Sequence, residues 1–408
     1  MIENKTLVYV LVVILAMVCA SWMVQKATQN PTASKPGHAP EPVASIEKKW
    51  DLDFGAKCEG GLALSDDGVI VTACQDGFVY AVDTSGKLQW KTFIGATVAS
   101  PTIGPDGAIY IANNNGAVFA LNRTGEQRWR AEVYAGGTYG HNGGALGSNM
   151  LYSPSRNGLK AISLASGKVE WSTNTGTDQW ASVTLLPDGT IVYSGRGRLN
   201  GVSSYGNIEW QYPPLTKDAI ERNGGWIAPP GNFNVTTGIA VGADHQMYAG
   251  LGNTSLVAMG FDASPRWEYK SQGPQLNQAS PVIAADGTIY FSHADWKLHA
   301  FNSDGTEKWS VNLEGYMPAT PVLAADGTIY ACGFAYLYAI SPAGKILAKR
   351  DVDTGASASP TLGPDGTIYV MNNLGKLAAF VGGHGGLMDS PWPKFQADLG
   401  NTGNARGQ

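Results

Sequence analysis

Residues suited to binding or catalysis fall mainly in segments where the chain departs from a regular repeat. Among them, arginine and aromatic side chains are the types that dominate protein-binding hot spots. The structural alternative at each position is a side chain that only packs over its own loop. We predict that these segments form a binding surface with the following residues: His141, Asn142, Trp180, Arg196, Arg198, Trp226, His293, Asp295, Trp296, Tyr336 and Asn372.

Motifs of common catalytic centres do not occur in the sequence. The segment from Gly201 to Gly206 is not a nucleophile elbow, because Tyr205 stands in the place of its last glycine. There is also no His-Glu-x-x-His pattern, phosphate-binding loop or dinucleotide fingerprint. Most aspartates of the repeats belong to Asp-Gly pairs, which turns explain. We therefore predict no catalytic residue, no metal site and no cofactor.

Composition describes a β-rich chain with many tight turns. Its 408 residues include 52 glycines, 12 tryptophans and 17 tyrosines, and only 15% are charged. The net charge of -5 is mild and no basic cluster is present, which argues against a nucleic-acid partner.

One repeat runs through the chain and is clearest from Ser280 to Trp309. Short runs of β-branched and aromatic residues alternate there with turn signals such as Asp-Gly, as in antiparallel hairpins. The pattern predicts strands at Ser280–Ala284, Thr288–Ser292 and Lys297–Phe301, followed by a fourth strand that carries Trp309. Asn149 and His245 replace the turn glycine in two copies, and we expect both to adopt positive φ.

The count of repeats predicts how the fold closes. Eight copies are present, but the last has no fourth strand, and a spare strand at Lys48–Leu52 precedes the first copy. Pairing the two ends would remove an exposed edge. The chain is therefore predicted to be all-β, an eight-bladed β-propeller of four-stranded antiparallel blades over residues 46–381, closed by the N-terminal strand. One tryptophan per repeat is predicted to pack between blades: Trp50, Trp90, Trp129, Trp171, Trp210, Trp267 and Trp309.

Long connections are predicted to lie on one face of this ring. In a propeller, the links between blades and the connections between second and third strands open on the same side. The longest insertions are 213–238, 134–146, 175–180 and 271–278, whereas the turns of the opposite face are short and uniform. Long loops on a rigid scaffold commonly carry binding sites. Trp226 and Trp296 are not among the tryptophans that recur once per repeat, so packing between blades does not explain them.

These motifs resemble the PQQ-like (quinoprotein-type) β-propeller repeat family, in which Ser/Thr-Pro, Asp-Gly-Thr-Ile-Tyr, Ala-Leu and Trp recur in each blade. The resemblance covers Ile46 to Val381, and Ser390–Gly403 also looks like a segment of such proteins. The family includes PQQ-dependent dehydrogenases and the propeller lipoprotein of the outer-membrane β-barrel assembly machine. Membership therefore leaves function open.

Three functions are open: the resemblance implies the first two, and tryptophans exposed in the loops would also suit the third. The first is a non-catalytic scaffold that binds a protein or polymer in the cell envelope, in outer-membrane protein assembly. The second is a quinoprotein, sensor or dehydrogenase, that holds PQQ with calcium. Dehydrogenases of the family carry a disulfide between adjacent cysteines, which this sequence lacks. The third is an adhesin or a module that binds polysaccharide. We favour the scaffold, as a monomeric propeller.

The N-terminus predicts export from the cytoplasm. Leu7 to Val24 has no charged residue and follows Lys5, which favours a hydrophobic helix over residues 1–24. An uncleaved membrane anchor is the preferred interpretation, and the alternatives are a cleaved signal peptide and a lipoprotein modified at Cys19. Residues 25–45 read as a Pro/Ala/Ser/Thr-rich linker and residues 382–408 as a Gly-rich C-terminal tail.

Cysteine usage is compatible with an oxidising compartment. Cys58 and Cys74 are predicted to face each other on two strands of one hairpin. They would form a disulfide there or remain as two buried thiols.

Overall fold

The computed structural model describes residues 45–133, 143–155, 158–174, 182–195, 198–213, 238–251, 255–270, 279–293, 295–315, 319–333, 335–353, 358–383 and 385–405. The chain divides into a unit of residues Met1–Glu41 and a unit of residues Pro42–Gln408. The predicted N-terminal helix and nearly all of the linker lie outside the described residues. Within the described ranges, no helix has the length and apolar character needed to cross a membrane.

Thirty-two strands of the described residues form eight four-stranded antiparallel sheets, numbered here as blades in chain order. Blade 1 consists of β2 (Ala63–Leu64), β3 (Ile70–Ala73), β4 (Phe78–Val82) and β5 (Leu88–Phe93). Blade 2 consists of β6 (Thr102–Ile103), β7 (Ile109–Ala112), β8 (Ala117–Leu121) and β9 (Gln127–Glu132). Blade 3 consists of β10 (Ala145–Leu146), β11 (Met150–Ser155), β12 (Gly158–Ser163) and β13 (Val169–Ser172). Blade 4 consists of β14 (Val183–Leu185), β15 (Ile191–Gly195), β16 (Arg198–Val202) and β17 (Ile208–Tyr212).

The second half repeats the same order. Blade 5 consists of β18 (Ile239–Val241), β19 (Gln246–Leu251), β20 (Ser255–Gly260) and β21 (Pro265–Lys270). Blade 6 consists of β22 (Val282–Ile283), β23 (Ile289–Ser292), β24 (Lys297–Phe301) and β25 (Glu307–Asn312). Blade 7 consists of β26 (Val322–Leu323), β27 (Ile329–Cys332), β28 (Tyr336–Ile340) and β29 (Ile346–Asp351). Blade 8 consists of β30 (Thr361–Leu362), β31 (Ile368–Met371), β32 (Lys376–Val381) and β1 (Glu47–Asp53).

The predicted closure of the ring is confirmed. Strand β1 pairs antiparallel with β32, so the N-terminal strand supplies the outer strand of blade 8. The eight-bladed, all-β prediction is therefore confirmed. The innermost strands are shorter than predicted, as in blade 6, where the strand predicted over Ser280–Ala284 is only Val282–Ile283. A proline directly precedes four of these strands: Pro101, Pro281, Pro321 and Pro360.

Asp-Gly turns connect the first and second strands of most blades. In blade 6, Oδ1 of Asp286 accepts a hydrogen bond from the Thr288 amide at 3.0 Å, and Gly287 has a φ of 80°. His245 takes the same role with a φ of 57°, as predicted. Asn149 does not adopt positive φ, so that expectation was wrong. Instead, the amide of Gly147 donates a hydrogen bond to the carbonyl of Met150 at 2.8 Å, which closes a shorter turn.

Tryptophans of the outer strands join neighbouring blades, as predicted. In six of the seven predicted tryptophans, the ring nitrogen donates to a backbone carbonyl in the next blade, at 2.8 or 2.9 Å. The donors are Trp50, Trp90, Trp129, Trp171, Trp267 and Trp309. The bond from Trp50 to the carbonyl of Thr84 spans the closure between blades 8 and 1. Trp129 lies over Gly167 of the next turn, where an added Cβ would come within 2.7 Å of its ring.

Cys58 and Cys74 form a disulfide, but not between two strands. Cys58 lies in the link between β1 and β2, and Cys74 directly follows β3. The two segments also pair through the amide of Gln75, which donates to the carbonyl of Lys57 at 2.8 Å. The disulfide therefore anchors the connection between β1 and β2 to the end of β3. Cys332 is buried and free.

The C-terminal segment 385–405 crosses the inner strands of the ring. Backbone amides in six blades donate hydrogen bonds of 2.7 to 2.9 Å to carbonyls of this segment. In each of these blades one donor is the last residue of the first strand, namely Leu64, Ile103, Leu146, Leu185, Ile283 or Leu323, and Ala325 of blade 7 donates as well. The first strands have no neighbour on their inner side within their own blade, so the segment satisfies part of an otherwise unpaired edge. These donors lie just before the turn to the second strand or in it, so the segment runs along the turn-bearing end of the inner strands.

A buried lysine fixes this C-terminal segment. Lys394 donates to the carbonyls of Phe395 and Asp398, each at 3.0 Å, and to the side-chain oxygen of Asn401. The amide nitrogen of Asn401 donates in turn to the carbonyls of Leu62 and Pro101. One network therefore joins the segment to blades 1 and 2.

Stability is expected to rise with pH through this lysine. Burial lowers the pKa of Lys394 to about 8, whereas the unfolded chain holds the proton up to about pH 10.5. Between these values the unfolded state binds more protons, so raising the pH favours the folded state. We expect a gain of about 2 kcal/mol in the free energy of unfolding between pH 7 and pH 9.5, relative to Lys394→Met.

Urea titrations of both proteins at several pH values would measure this difference. The variant serves as the control because it cancels the titration of every other group. A difference between the two proteins that stays constant up to pH 9.5 would contradict the assignment.

Candidate functional site

Six of the eleven predicted site residues lie within the described residues. They are Arg198, His293, Asp295, Trp296, Tyr336 and Asn372. The other five, His141, Asn142, Trp180, Arg196 and Trp226, lie outside them. All six lie at ends of second or third strands, or in the connections between them. This is the face that also carries the links between blades, here called the loop-bearing face.

Apolar side chains follow this face across four consecutive blades. Trp296 of blade 6 is 46% exposed, Leu374 of blade 8 is 66% exposed and Phe93 of blade 1 is 65% exposed. Tyr336 of blade 7 is half-buried at the start of β28. We call these four residues the apolar arc. Exposed apolar side chains that recur on neighbouring elements are typical of interaction surfaces.

Charged groups border the apolar arc. The Lys349 ammonium lies 3.7 Å from the centre of the Tyr336 ring and 2.7 Å from a carboxylate oxygen of Glu314. Hydrogen bonding to Glu314 raises the pKa of Lys349, so this lysine remains positively charged over the ring. An apolar centre with a charged border is the composition found in protein-binding surfaces.

Arg198 and Asn372 make contacts that explain them structurally. Arg198 is buried, donates to the carbonyl of Pro213 at 2.9 Å, and has its pKa lowered by that burial. The Asn372 side chain accepts from the amides of Leu374 and Lys376 and thereby shapes its own turn. The structure therefore favours a role in loop architecture for both residues.

His293 and Asp295 meet a third residue that the sequence analysis did not select. A carboxylate oxygen of Asp295 lies 3.4 Å from Nδ1 of His293, and another lies 3.0 Å from Nε2 of His299. Nδ1 of His299 lies 2.8 Å from Oε1 of Glu307. Burial raises the pKa of Asp295, but hydrogen bonds with the two histidines outweigh burial and hold the pKa below its usual range.

His299 and Glu307 were missed because both lie on strands rather than in loops. A hairpin that turns between His293 and Lys297 places His299 opposite Phe291. His299 therefore belongs to the second residue pair from the turn. It lies on β24, the strand that follows the turn and runs antiparallel to the strand before His293. The spacing His-x-Asp-x-x-x-His across a short hairpin was the available signal.

The calcium site of a quinoprotein finds no support among the described residues. The group of His, Cys, Asp or Glu side chains found there within metal-binding range contains two histidines and one aspartate. Calcium prefers a set of oxygen ligands, so this donor set does not suit it. The quinoprotein alternative therefore stays a prediction.

A protein family described as "Outer membrane protein assembly factor BamB" matches residues 44–208 and 196–361. The chain belongs to this family. The fold agrees, because the repeats that match are the blades described above. No curated protein sequence matches the chain significantly.

Solved structures with the same fold include BamB from Moraxella catarrhalis. It is 16% identical with a TM-score of 0.67, over 82% of this chain and 99% of that protein. The computationally designed Ika8 protein is 12% identical with a TM-score of 0.65, over 82% and 99% of the two chains. A streptogramin B lyase is 14% identical with a TM-score of 0.51, over 82% and 96%. At these identities the likeness shows the fold alone.

Proposed function

We propose that the protein is a non-catalytic scaffold of the cell envelope that binds a protein partner through its loop-bearing face, in outer-membrane protein assembly. The observation that carries this proposal is the apolar arc. Trp296, Leu374 and Phe93 are large side chains that remain exposed, whereas the tryptophans between blades are engaged in packing. Aromatic residues surrounded by polar groups are the usual anchors of a protein interface.

The family supports the place of action. The BamB description is of an outer-membrane assembly factor, and the uncharged segment Leu7–Val24 is typical of an export signal or anchor. The disulfide of Cys58 and Cys74 suits an oxidising compartment. Together these features support an extracytoplasmic propeller tethered to a membrane through its N-terminal segment and linker.

Truncating the three exposed residues of the apolar arc is expected to weaken partner binding strongly without unfolding the ring. Truncation of one hot-spot side chain costs about 2 kcal/mol or more, so Phe93→Ala, Trp296→Ala and Leu374→Ala together should weaken binding at least about 30-fold. The three side chains are exposed, so stability should change by only about 0.5 kcal/mol each. In a host that lacks the native gene, the triple variant should leave outer-membrane β-barrel proteins as depleted as no protein at all.

A matched variant on the opposite face provides the control. Leu88, Tyr205 and Ile346 are exposed apolar residues beside the short turns, and their triple alanine variant should restore the β-barrel proteins fully. Full restoration by the apolar-arc variant, with equal protein levels, would contradict the proposal. If the protein were an adhesin, a glycan-binding module or a quinoprotein, loss of the gene would not deplete the β-barrel proteins at all.

A further inference from the structure

We propose that His293, Asp295 and His299 form a binding site for a divalent transition-metal cation, with Zn²⁺ as the reference ion. One ligand atom from each residue lies within 4.8 Å of the other two. Two of these residues are buried and Asp295 is half-buried at the loop-bearing face. The site is distinct from the apolar arc, although Trp296, the chain neighbour of Asp295, belongs to that arc.

The spacing of the donor atoms matches the needs of a small cation. Nitrogen and oxygen ligands of tetrahedral zinc lie about 2.0–2.1 Å from the metal, so they are separated from each other by about 3.3 Å. The distance from Asp295 to Nδ1 of His293 is 3.4 Å and that to Nε2 of His299 is 3.0 Å. The two histidine donors lie within 4.8 Å of each other, so metal binding would draw them together by up to about 1.5 Å.

Glu307 supplies the outer support that metal-binding histidines usually have. Its Oε1 lies 2.8 Å from Nδ1 of His299, the ring nitrogen that points away from Asp295. A carboxylate in this position accepts a hydrogen bond from Nδ1–H and leaves Nε2 as the electron-pair donor. The same contact fixes the plane of the ring.

Aromatic side chains restrict the two imidazoles further. Phe301 stacks on the ring of His299 with centroids 5.7 Å apart, and Tyr269 of the neighbouring blade lies 5.4 Å from it. Phe291 lies 5.6 Å from the ring of His293. Such packing reduces the entropy that the side chains would lose on binding a metal.

The donor set decides the class of cation. Two imidazole nitrogens and one carboxylate suit Zn²⁺ and its neighbours Co²⁺ and Ni²⁺, whereas Ca²⁺ and Mg²⁺ prefer oxygen ligands. Three protein ligands leave one position of a tetrahedral ion for water or for a group from a bound partner. Asp295 is the half-buried member of the three and lies at the loop-bearing face.

Calorimetric titration of the full-length protein tests the site directly. Protein purified in detergent and stripped with a chelator would be titrated with ZnCl₂, and one saturable site per chain is expected. Asp295→Asn and His299→Gln should abolish that site, and Glu307→Gln should weaken it about 10- to 100-fold as the loss of an outer partner. Co²⁺ should give the visible absorption bands of a tetrahedral ion in wild type and not in Asp295→Asn.

His245→Asn is the matched control. His245 is exposed, lies in a turn outside the cluster, and its positive φ is tolerated by asparagine. This variant should bind Zn²⁺ as wild type does. Absence of a saturable site in wild type, or a site unchanged in both Asp295→Asn and His299→Gln, would overturn the proposal. The capture of a protein partner is a separate measurement, so either proposal can fail alone.

Discussion

Replacing Trp392 with alanine is expected to lower the free energy of unfolding by about 3–5 kcal/mol, the usual cost of removing a buried tryptophan. Trp392 belongs to the C-terminal segment and is 1% exposed, packed in the core of blades 5 and 6 with residues such as Val241 and Ile283. Its carbonyl also accepts the amide of Ile283 at 2.8 Å. A cavity at this position would therefore weaken the packing of the C-terminal segment against the inner strands.

Urea unfolding followed by circular dichroism measures the effect, and Trp296→Ala is the matched control. Trp296 is a tryptophan of the same chain that is 46% exposed, so its loss should change stability by only about 0.5 kcal/mol. Equal unfolding midpoints for the two variants would show that the C-terminal segment does not contribute to the core.

The second large effect is expected at the junction between blades 2 and 3. Trp129 is buried, packs 5.8 Å from Tyr110 and donates to the carbonyl of Leu164 in the next blade at 2.8 Å. Trp129→Ala removes both the packing and the hydrogen bond and should cost about 3–5 kcal/mol. Because the ring is closed, the loss should lower the stability of the whole propeller in one transition.

Trp129→Phe separates the two contributions. Phenylalanine keeps most of the apolar contact but cannot donate to the carbonyl of Leu164, so this variant should lose only about 1–2 kcal/mol of stability. Thermal unfolding would give the melting temperatures of both variants, and Trp129→Phe should lie between Trp129→Ala and wild type. A Trp129→Ala protein with the stability of wild type would contradict the role of these tryptophans in joining neighbouring blades.

The repeat determined the fold because its signals are local. An Asp-Gly pair specifies a turn whatever surrounds it, and a tryptophan at a fixed place in each repeat meets the same turn of the next blade. The pairing of β1 with β32 was predictable from the count of strands alone. Such arguments need no knowledge of contacts between distant residues.

The position of the C-terminal segment could not be predicted in this way. Its contacts join Asn401 to Leu62 and Pro101, which are hundreds of residues away in the chain, and no repeat marks them. Lys394 reads as a surface residue in sequence, because lysine is rarely buried without partners. Only the fold shows that three oxygen atoms surround it.

The candidate site was predictable in part. Loop position pointed to Trp296, which is exposed, but it also selected Asn372, whose side chain holds its own turn. Loop position cannot separate these cases, since the same amide that could contact a partner can also bond nearby backbone groups. Leu374 and Phe93 were missed because single apolar residues at strand ends are common in sequences.

Photo-cross-linking in the native membrane is the most direct test of partner binding by the loop-bearing face. A photoreactive amino acid would replace Trp296, Leu374 or Phe93 of the apolar arc, and Leu88 or Tyr205 of the opposite face. We expect adducts with one envelope protein from the apolar arc and none from the opposite face. Adducts only from the opposite face, or none from either face, would contradict partner binding by the loop-bearing face.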